Sequence, residues 1–173
     1  GAAGYIGGQV IRALAEDPAG VERIVGTDVR SPRDQDRLEN VTWETVDIRS
    51  PELIDLLRTH AVDTVVHLAC IVTVPPGLSR EDQYSVDVEG TRNVLEACVA
   101  ADVRKIIVTS SGAAYGYHAD NDEWLDEVES PIRGNEAFAY SHHKRLVEEL
   151  LLNYREKHPQ LAQLIFRPGT VLG

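Results

Sequence analysis

Tyr140 and Lys144 stand four residues apart in a segment whose apolar spacing predicts a helix over 138–158, so both side chains project from one face. A free phenol has a pKa near 10 and is a poor base at neutral pH. An ammonium group and an oxidised nicotinamide nearby both favour the phenolate and bring that pKa toward the working range. Such a pair moves a proton at an alcohol or a carbonyl. Ser110 and Ser111 close the apolar run Lys105–Thr109, at the carboxyl edge where open α/β sheets bind ligands. A hydroxyl there can orient the oxygen whose proton the tyrosine takes; equally, it can cap the strand end. His142 and His143 lie between the tyrosine and the lysine, and a helical projection sends them to a solvated or interface face.

A second constellation opens the chain. Gly1, Gly4 and Gly7 precede a helical pattern over 5–17. Glycines at this spacing allow a tight turn, a close approach to a pyrophosphate and close packing of the helix that follows. The pyrophosphate then lies on the helix N-terminus, where free N–H groups and the macrodipole favour negative charge. The next strand, 22–28, ends on Asp28, at the distance of roughly 20 residues that the dinucleotide fingerprint requires. A carboxylate there accepts hydrogen bonds from ribose hydroxyls and repels a 2′-phosphate, which favours NAD over NADP. Arg30, two residues on, could serve such a phosphate instead.

The elements that must hold these groups alternate. Strands are expected at 22–28, 41–48, 63–70, 105–109 and 161–166, and helices at 5–17, 51–60, 81–101 and 138–158. Ser50-Pro51 supplies a cap and a first-turn proline for the helix over 51–60. The run Asp63–Cys70 is nearly all apolar, as in a strand covered on both faces. Such alternation predicts an α/β protein with a doubly wound parallel sheet and right-handed crossovers. The glycine turn should follow a central first strand, and none precedes Gly1, so the sheet is expected to lack its middle. The expectation is one NAD-binding domain over 1–173, with its first strand and a C-terminal substrate lobe outside this chain.

Acidic residues outnumber basic ones 28 to 17, a net charge of −11, which argues against binding a nucleic-acid backbone. Apolar residues make up 43%, the share of an ordinary globular domain, and no apolar run is long enough to span a bilayer. Cys70 and Cys98 sit in apolar stretches and read as free buried thiols of a reducing compartment, so the cytoplasm is expected. His67 and Cys70 lack the further ligands of a zinc site, and no metal is expected. The acidic loop Asp120–Glu129 reads as solvated surface.

Together these segments resemble the extended short-chain dehydrogenases/reductases, in the NAD-dependent epimerase/dehydratase branch, and the UDP-glucose 4-epimerases in particular. The matching stretches are Gly1–Gly7, Asp28, Asp47-Ile48, His67–Ala69, Gly90–Ala97, Thr109–Gly116, Tyr140–Lys144 and Arg167-Pro168, in the family's order and over the whole chain. The resemblance implies a Rossmann fold, with Tyr140 as acid or base, Lys144 as its partner on the nicotinamide ribose, and Ser111 as the hydroxyl that orients substrate. It assigns contacts with NAD to Gly1, Gly4, Tyr5, Ile6, Gly7, Asp28, Asp47, Ile48, Leu68, Ala69, Lys144 and Pro168. It also implies a homodimer through the two long helices.

Three departures narrow the activity. Sugar-dehydrating members carry an Asp-Glu pair after the serine position, where this chain has Gly112-Ala113, so dehydration lacks its acid and base. Asp87 stands where the long helix usually has an asparagine, and Thr170 where epimerases commonly hold substrate with one. The leading expectation is epimerisation of a nucleotide sugar through a transient ketone. The alternatives are a net dehydrogenase or reductase of a sterol-like or other small alcohol or ketone, and a non-catalytic dinucleotide sensor.

Overall fold

The computed structural model describes residues 1–171 and is built of parallel strands joined by helices. Helix α1 (Tyr5–Glu16) leads into β1 (Ile24–Asp28), which pairs in parallel with β2 (Val41–Thr45). Helix α2 (Glu52–Thr59) then leads to β3 (Thr64–His67). A helical stretch of two helices, α3 (Arg80–Tyr84) and α4 (Gly90–Ala100), precedes β4 (Lys105–Thr109), and α5 (Ala139–Lys157) precedes β5 (Ala162–Phe166). β4 lies between β3 and β5, with Ile106 opposite Val65 on one side and Gln163 on the other. The result is the α/β, Rossmann-type arrangement that strand–helix alternation predicts.

The hydrogen-bonded ladder falls into two sheets, β1–β2 and β3–β4–β5. The space between β1 and β3, flanked by apolar residues of α1 and α2, is the gap expected in the middle of the sheet. The strand expected over 63–70 is shorter, β3 covering Thr64–His67, and Val66 beside the gap is 38% exposed. Beyond His67 the backbone is held by side chains instead of a ladder. Asp87 accepts the Ile71 N–H at 2.8 Å, and Gln83 donates to the Ile71 carbonyl at 2.7 Å.

The main core packs α2, α4 and α5 against β4, through Leu53, Leu57, Leu95, Cys98, Ile106, Val147 and Leu151. A smaller cluster joins α1 to its sheet through Ile11, Ile24 and Val41. The helix expected over 81–101 runs without a gap from Arg80 to Ala100, and a π-helical turn at Ser85–Glu89 within it carries Asp87 into the interior. α3 is started by Ser79, whose hydroxyl accepts the Asp82 N–H while Asp82 accepts the Ser79 N–H. α4 and α5 lie side by side, joined by Leu95 and Leu151 in the core and by the Tyr154 hydroxyl on Glu96 at 3.4 Å.

At the start of the chain, Gly7 is close-packed, as its place in the motif predicts. A Cβ there would stand 2.1 Å from the Gly1 carbonyl oxygen and 2.8 Å from Ala2 Cα, so the helix closes on the turn itself. Gly8 has room: its nearest contact would be the Arg12 guanidinium at 3.6 Å. Gly7→Ala should therefore lower stability by about 1–3 kcal/mol. Gly8→Ala, in the same helix, should leave it unchanged or raise it by up to about 1 kcal/mol. Thermal unfolding of the two variants without cofactor checks the contrast, and equal midpoints would contradict it.

Candidate active site

One stripe of α5 fixes the site. Ser141, Lys144 and Glu148 fall on successive turns and all are buried. The Ser141 hydroxyl donates to the Ala113 carbonyl at 2.7 Å, and Lys144 Nζ donates to the Thr109 carbonyl at 2.9 Å. Ser110 donates to Glu148 Oε1 at 2.6 Å, and Arg167 binds both carboxylate oxygens of Glu148 at 2.6–3.0 Å. The helix is thereby held on the carboxyl ends of β4 and β5. Neither Glu148 nor Arg167 was singled out as a pair from sequence, because their partnership spans two elements.

Tyr140 sits half-buried at the start of α5, with Lys144 Nζ 5.5 Å from its ring centroid. Burial pushes the phenol above its ordinary pKa of 10; the Ser111 hydroxyl pulls it back, and Cys70 and Asp87 push it further up. Burial thus favours the protonated phenol, and a positive charge brought close to it works the other way. The Ser111 hydroxyl also accepts the Ala113 N–H at 3.1 Å, starting the 3₁₀ turn Gly112–Tyr115. Ser110 faces Glu148 and Ser111 faces the phenol, so the two neighbouring hydroxyls divide the structural and the site roles.

The glycine turn lies at the same sheet edge. Ala2 N–H bonds the Thr27 carbonyl at 3.0 Å, while a Cβ on Gly1 would stand 2.6 Å from Ala69 N and 2.7 Å from Leu68 C. Only a residue without a side chain lets the turn sit against the end of β3. Gly4 begins α1 with no side-chain cap, which leaves first-turn N–H groups free for an anion. Tyr5 and Ile6, at the start of that helix, are exposed. Asp28, buried at the end of β1, accepts N–H bonds from Ala3 and Arg30 at 3.1 Å each. Two bonds leave a carboxylate capacity to accept from ribose hydroxyls. The Arg30 guanidinium lies 3.9 Å from that carboxylate and is exposed.

The remaining candidates fall less tightly around this edge. Asp47 is clasped by Arg49, which holds its carboxyl below the usual carboxylate range. Ile48 packs where a Cβ on Gly90 would stand 2.5 Å from its Cδ1, and its carbonyl accepts from Asn93 at 2.6 Å. The Pro168 carbonyl accepts the Gly112 N–H at 2.9 Å, beside Ser111. These residues fit a dinucleotide: uncapped amides for its phosphates, a buried carboxylate for a ribose, and the Leu68-Ala69 backbone opposite.

The helical projection of His143 toward solvent is overturned. His143 is 4% exposed, and its Nδ1 lies 3.1 Å from Asp87 Oδ2. Three residues on from Tyr140 is only about 60° around the helix, so the spacing itself carried the signal. His142 is half-buried. His67 is buried with Nε2 2.9 Å from Thr91 Oγ1. Cys70 and Cys98 are free thiols, the latter pushed up to about 12 by burial. Among the described residues, no three His, Cys, Asp or Glu side chains gather as metal ligands, and no helix is long and apolar enough to cross a membrane.

Burial lowers the His67 pKa from 6.5 to about 3. Between those values the unfolded chain takes up a proton that the folded chain refuses, so stability falls as pH drops through this window. From pH 7 to pH 5, His67→Gln should lose about 2 kcal/mol less stability than the parent, at about 1.4 kcal/mol per unit below the unfolded value. Denaturant titrations at both pH values test this, and parallel losses would contradict it.

The comparisons with known proteins agree with this geometry. The sequence matches the NAD dependent epimerase/dehydratase family over residues 1–173. A UDP-glucose 4-epimerase of Azospirillum brasilense is 30% identical over 175 residues, covering 100% of this chain and 48% of the relative. A solved UDP-glucose 4-epimerase superposes with a TM-score of 0.81 at 26% identity, over 100% of this chain and 51% of the other. MoeE5, solved in complex with UDP-glucose and NAD, gives a TM-score of 0.77 at 25% identity, over 96% of this chain and 52% of the other. The chain spans about half the length of these relatives. By sequence and by fold, it belongs to the NAD-dependent epimerase/dehydratase family, in the extended short-chain dehydrogenase/reductase group.

Proposed function

We propose that this chain is the cofactor-binding part of an NAD-dependent epimerase that inverts a carbon of a nucleotide sugar. The observation that carries the reading is the convergence of Tyr140, Lys144 and Ser111 with the glycine turn at one sheet edge. NAD, held by the first-turn amides after Gly4, by Asp28 and by Lys144, would supply the hydride acceptor and donor for the sugar carbon. Tyr140 takes the hydroxyl proton from that carbon's oxygen as the ketone forms, and gives it back when the alcohol is restored. Ser111 hydrogen-bonds the same oxygen. Lys144, anchored on the Thr109 carbonyl, adds positive charge under the phenol and reaches the nicotinamide ribose. Gly112-Ala113 follow Ser111 with no acid–base pair, which favours simple inversion over dehydration. The homodimer through α4 and α5 and the cytoplasmic location belong to the same proposal.

A second reading is a net dehydrogenase of an apolar alcohol. The exposed rings of Tyr117 and Phe138, 6.1 Å apart and with Phe138 6.1 Å from Tyr140, would suit such a substrate. Stoichiometric release of NADH favours that reading; turnover with no net NADH favours the epimerase. In the full-length enzyme, Tyr140→Phe should lower turnover by at least about 100-fold while NAD binding, followed by fluorescence, is kept. Unchanged turnover would remove Tyr140 from the chemistry and leave the dinucleotide-sensing alternative.

A further inference from the structure

Behind the proposed proton-transfer group lies a buried acid whose partner decides its influence. Asp87 and His143 are 5% and 4% exposed. Asp87 Oδ2 lies 3.1 Å from His143 Nδ1, and Oδ1 accepts the Ile71 N–H at 2.8 Å. The Tyr84 ring lies edge-on to the imidazole at 5.6 Å, and the His142 ring is 6.1 Å away. A cavity of about 10 Å³, of the order of one water, is bounded by Asp87, His143 and Lys144, with Cys70, His67 and Thr109 closing it. The Asp87 carboxylate therefore has two donors within one small space: the imidazole that it bonds, and the Lys144 ammonium that it does not.

That choice matters to Tyr140. The groups facing the phenol are Lys144 on its own helix, Ser111 and Tyr117 from the segment after β4, Cys70 from the segment after β3, and Asp87 from the π turn. Asp87 is the one carboxylate in the set, and its negative charge opposes loss of the phenol proton. A buried carboxylate deprived of its partner seeks another, and the ammonium across the cavity is the group at hand.

We propose that His143 is a positioning residue: by holding Asp87 on its own Nδ1 and on the Ile71 amide, it keeps the carboxylate off Lys144 and leaves the ammonium to Tyr140. The inference rests on the assignment of Tyr140 as the proton-transfer group. Without the imidazole, Asp87 draws Lys144 from the Thr109 carbonyl, and the phenol holds its proton more tightly.

The test titrates Tyr140 in the full-length, NAD-loaded enzyme by tyrosinate absorbance, subtracting the matched Tyr140→Phe protein, and follows the pH profile of turnover with UDP-glucose as probe. His143→Leu should move both midpoints up by about one pH unit. His143→Asn, which restores a donor near Nδ1, should hold the parent midpoint. Asp87→Asn combined with His143→Leu, which removes the buried charge, should bring it to the parent value or below. A purely packing role predicts loss of stability in His143→Leu with no movement of the midpoint, and that result overturns the proposal. If His143→Leu does not fold, the other two variants decide: a midpoint above the parent in either overturns it. Failure of the Tyr140 assignment shows separately, as turnover unchanged in Tyr140→Phe, since the absorbance titration needs no turnover.

Discussion

The buried Glu148 carboxylate, held between Ser110 and Arg167, is the interaction on which the candidate site depends. It joins the end of β4, the end of β5 and the second turn of α5 past Tyr140 in one network. The Arg167 guanidinium also lies 5.3 Å over the Tyr115 ring and donates to its hydroxyl at 3.0 Å, so the 3₁₀ turn after Ser111 is tied to the same point. A buried pair of this kind specifies an arrangement more than it stabilises one. Removing a single partner would cost about 3–5 kcal/mol, because it leaves a charge stranded in the interior. With α5 fixed, the four-residue step to Lys144 and the seven-residue reach from Ser141 to Glu148 leave Tyr140 little freedom to stand anywhere but above the sheet edge.

The cofactor turn plays the matching part on the other side. It touches β1 through the Thr27 carbonyl and the end of β3 through Leu68 and Ala69, and so links the two sheets. The glycines serve closeness here: neither Gly4 nor Gly7 has a left-handed backbone, but Cβ atoms on Gly1 and Gly7 would collide with main-chain atoms. A ligand lying along this turn would contact both halves of the fold, so binding energy and folding energy are shared in this region.

Much of this was legible because it is local. The Tyr140–Lys144 step, the Gly1–Gly7 spacing and Asp28 at a strand end are patterns within one or two elements, and the helix bounds of α1, α2 and α5 follow from their periodicity. What escaped was non-local. The π turn at Ser85–Glu89 inside the expected helix brings Asp87 to Ile71 and His143, 16 and 56 residues away. Past the end of β3, the Ile71 backbone is bound by the side chains of Asp87 and Gln83 from the long helix. His143 was placed on the wrong face by treating it as solvent-bound, although its phase lies beside Tyr140; only the burial of Asp87 shows why a histidine belongs there.

The central claim is that a carbon of a bound nucleotide sugar is oxidised and then reduced again at the edge where Tyr140, Lys144 and Ser111 meet the glycine turn. Deuterium at C4 of UDP-glucose, followed by NMR in the full-length enzyme, tests it most directly. The proposal predicts that the 4-epimer forms with deuterium kept at C4 and none lost to solvent or to free cofactor. Deuterium exchanged into water, or accumulated in released NADH as the sugar is consumed, would contradict it.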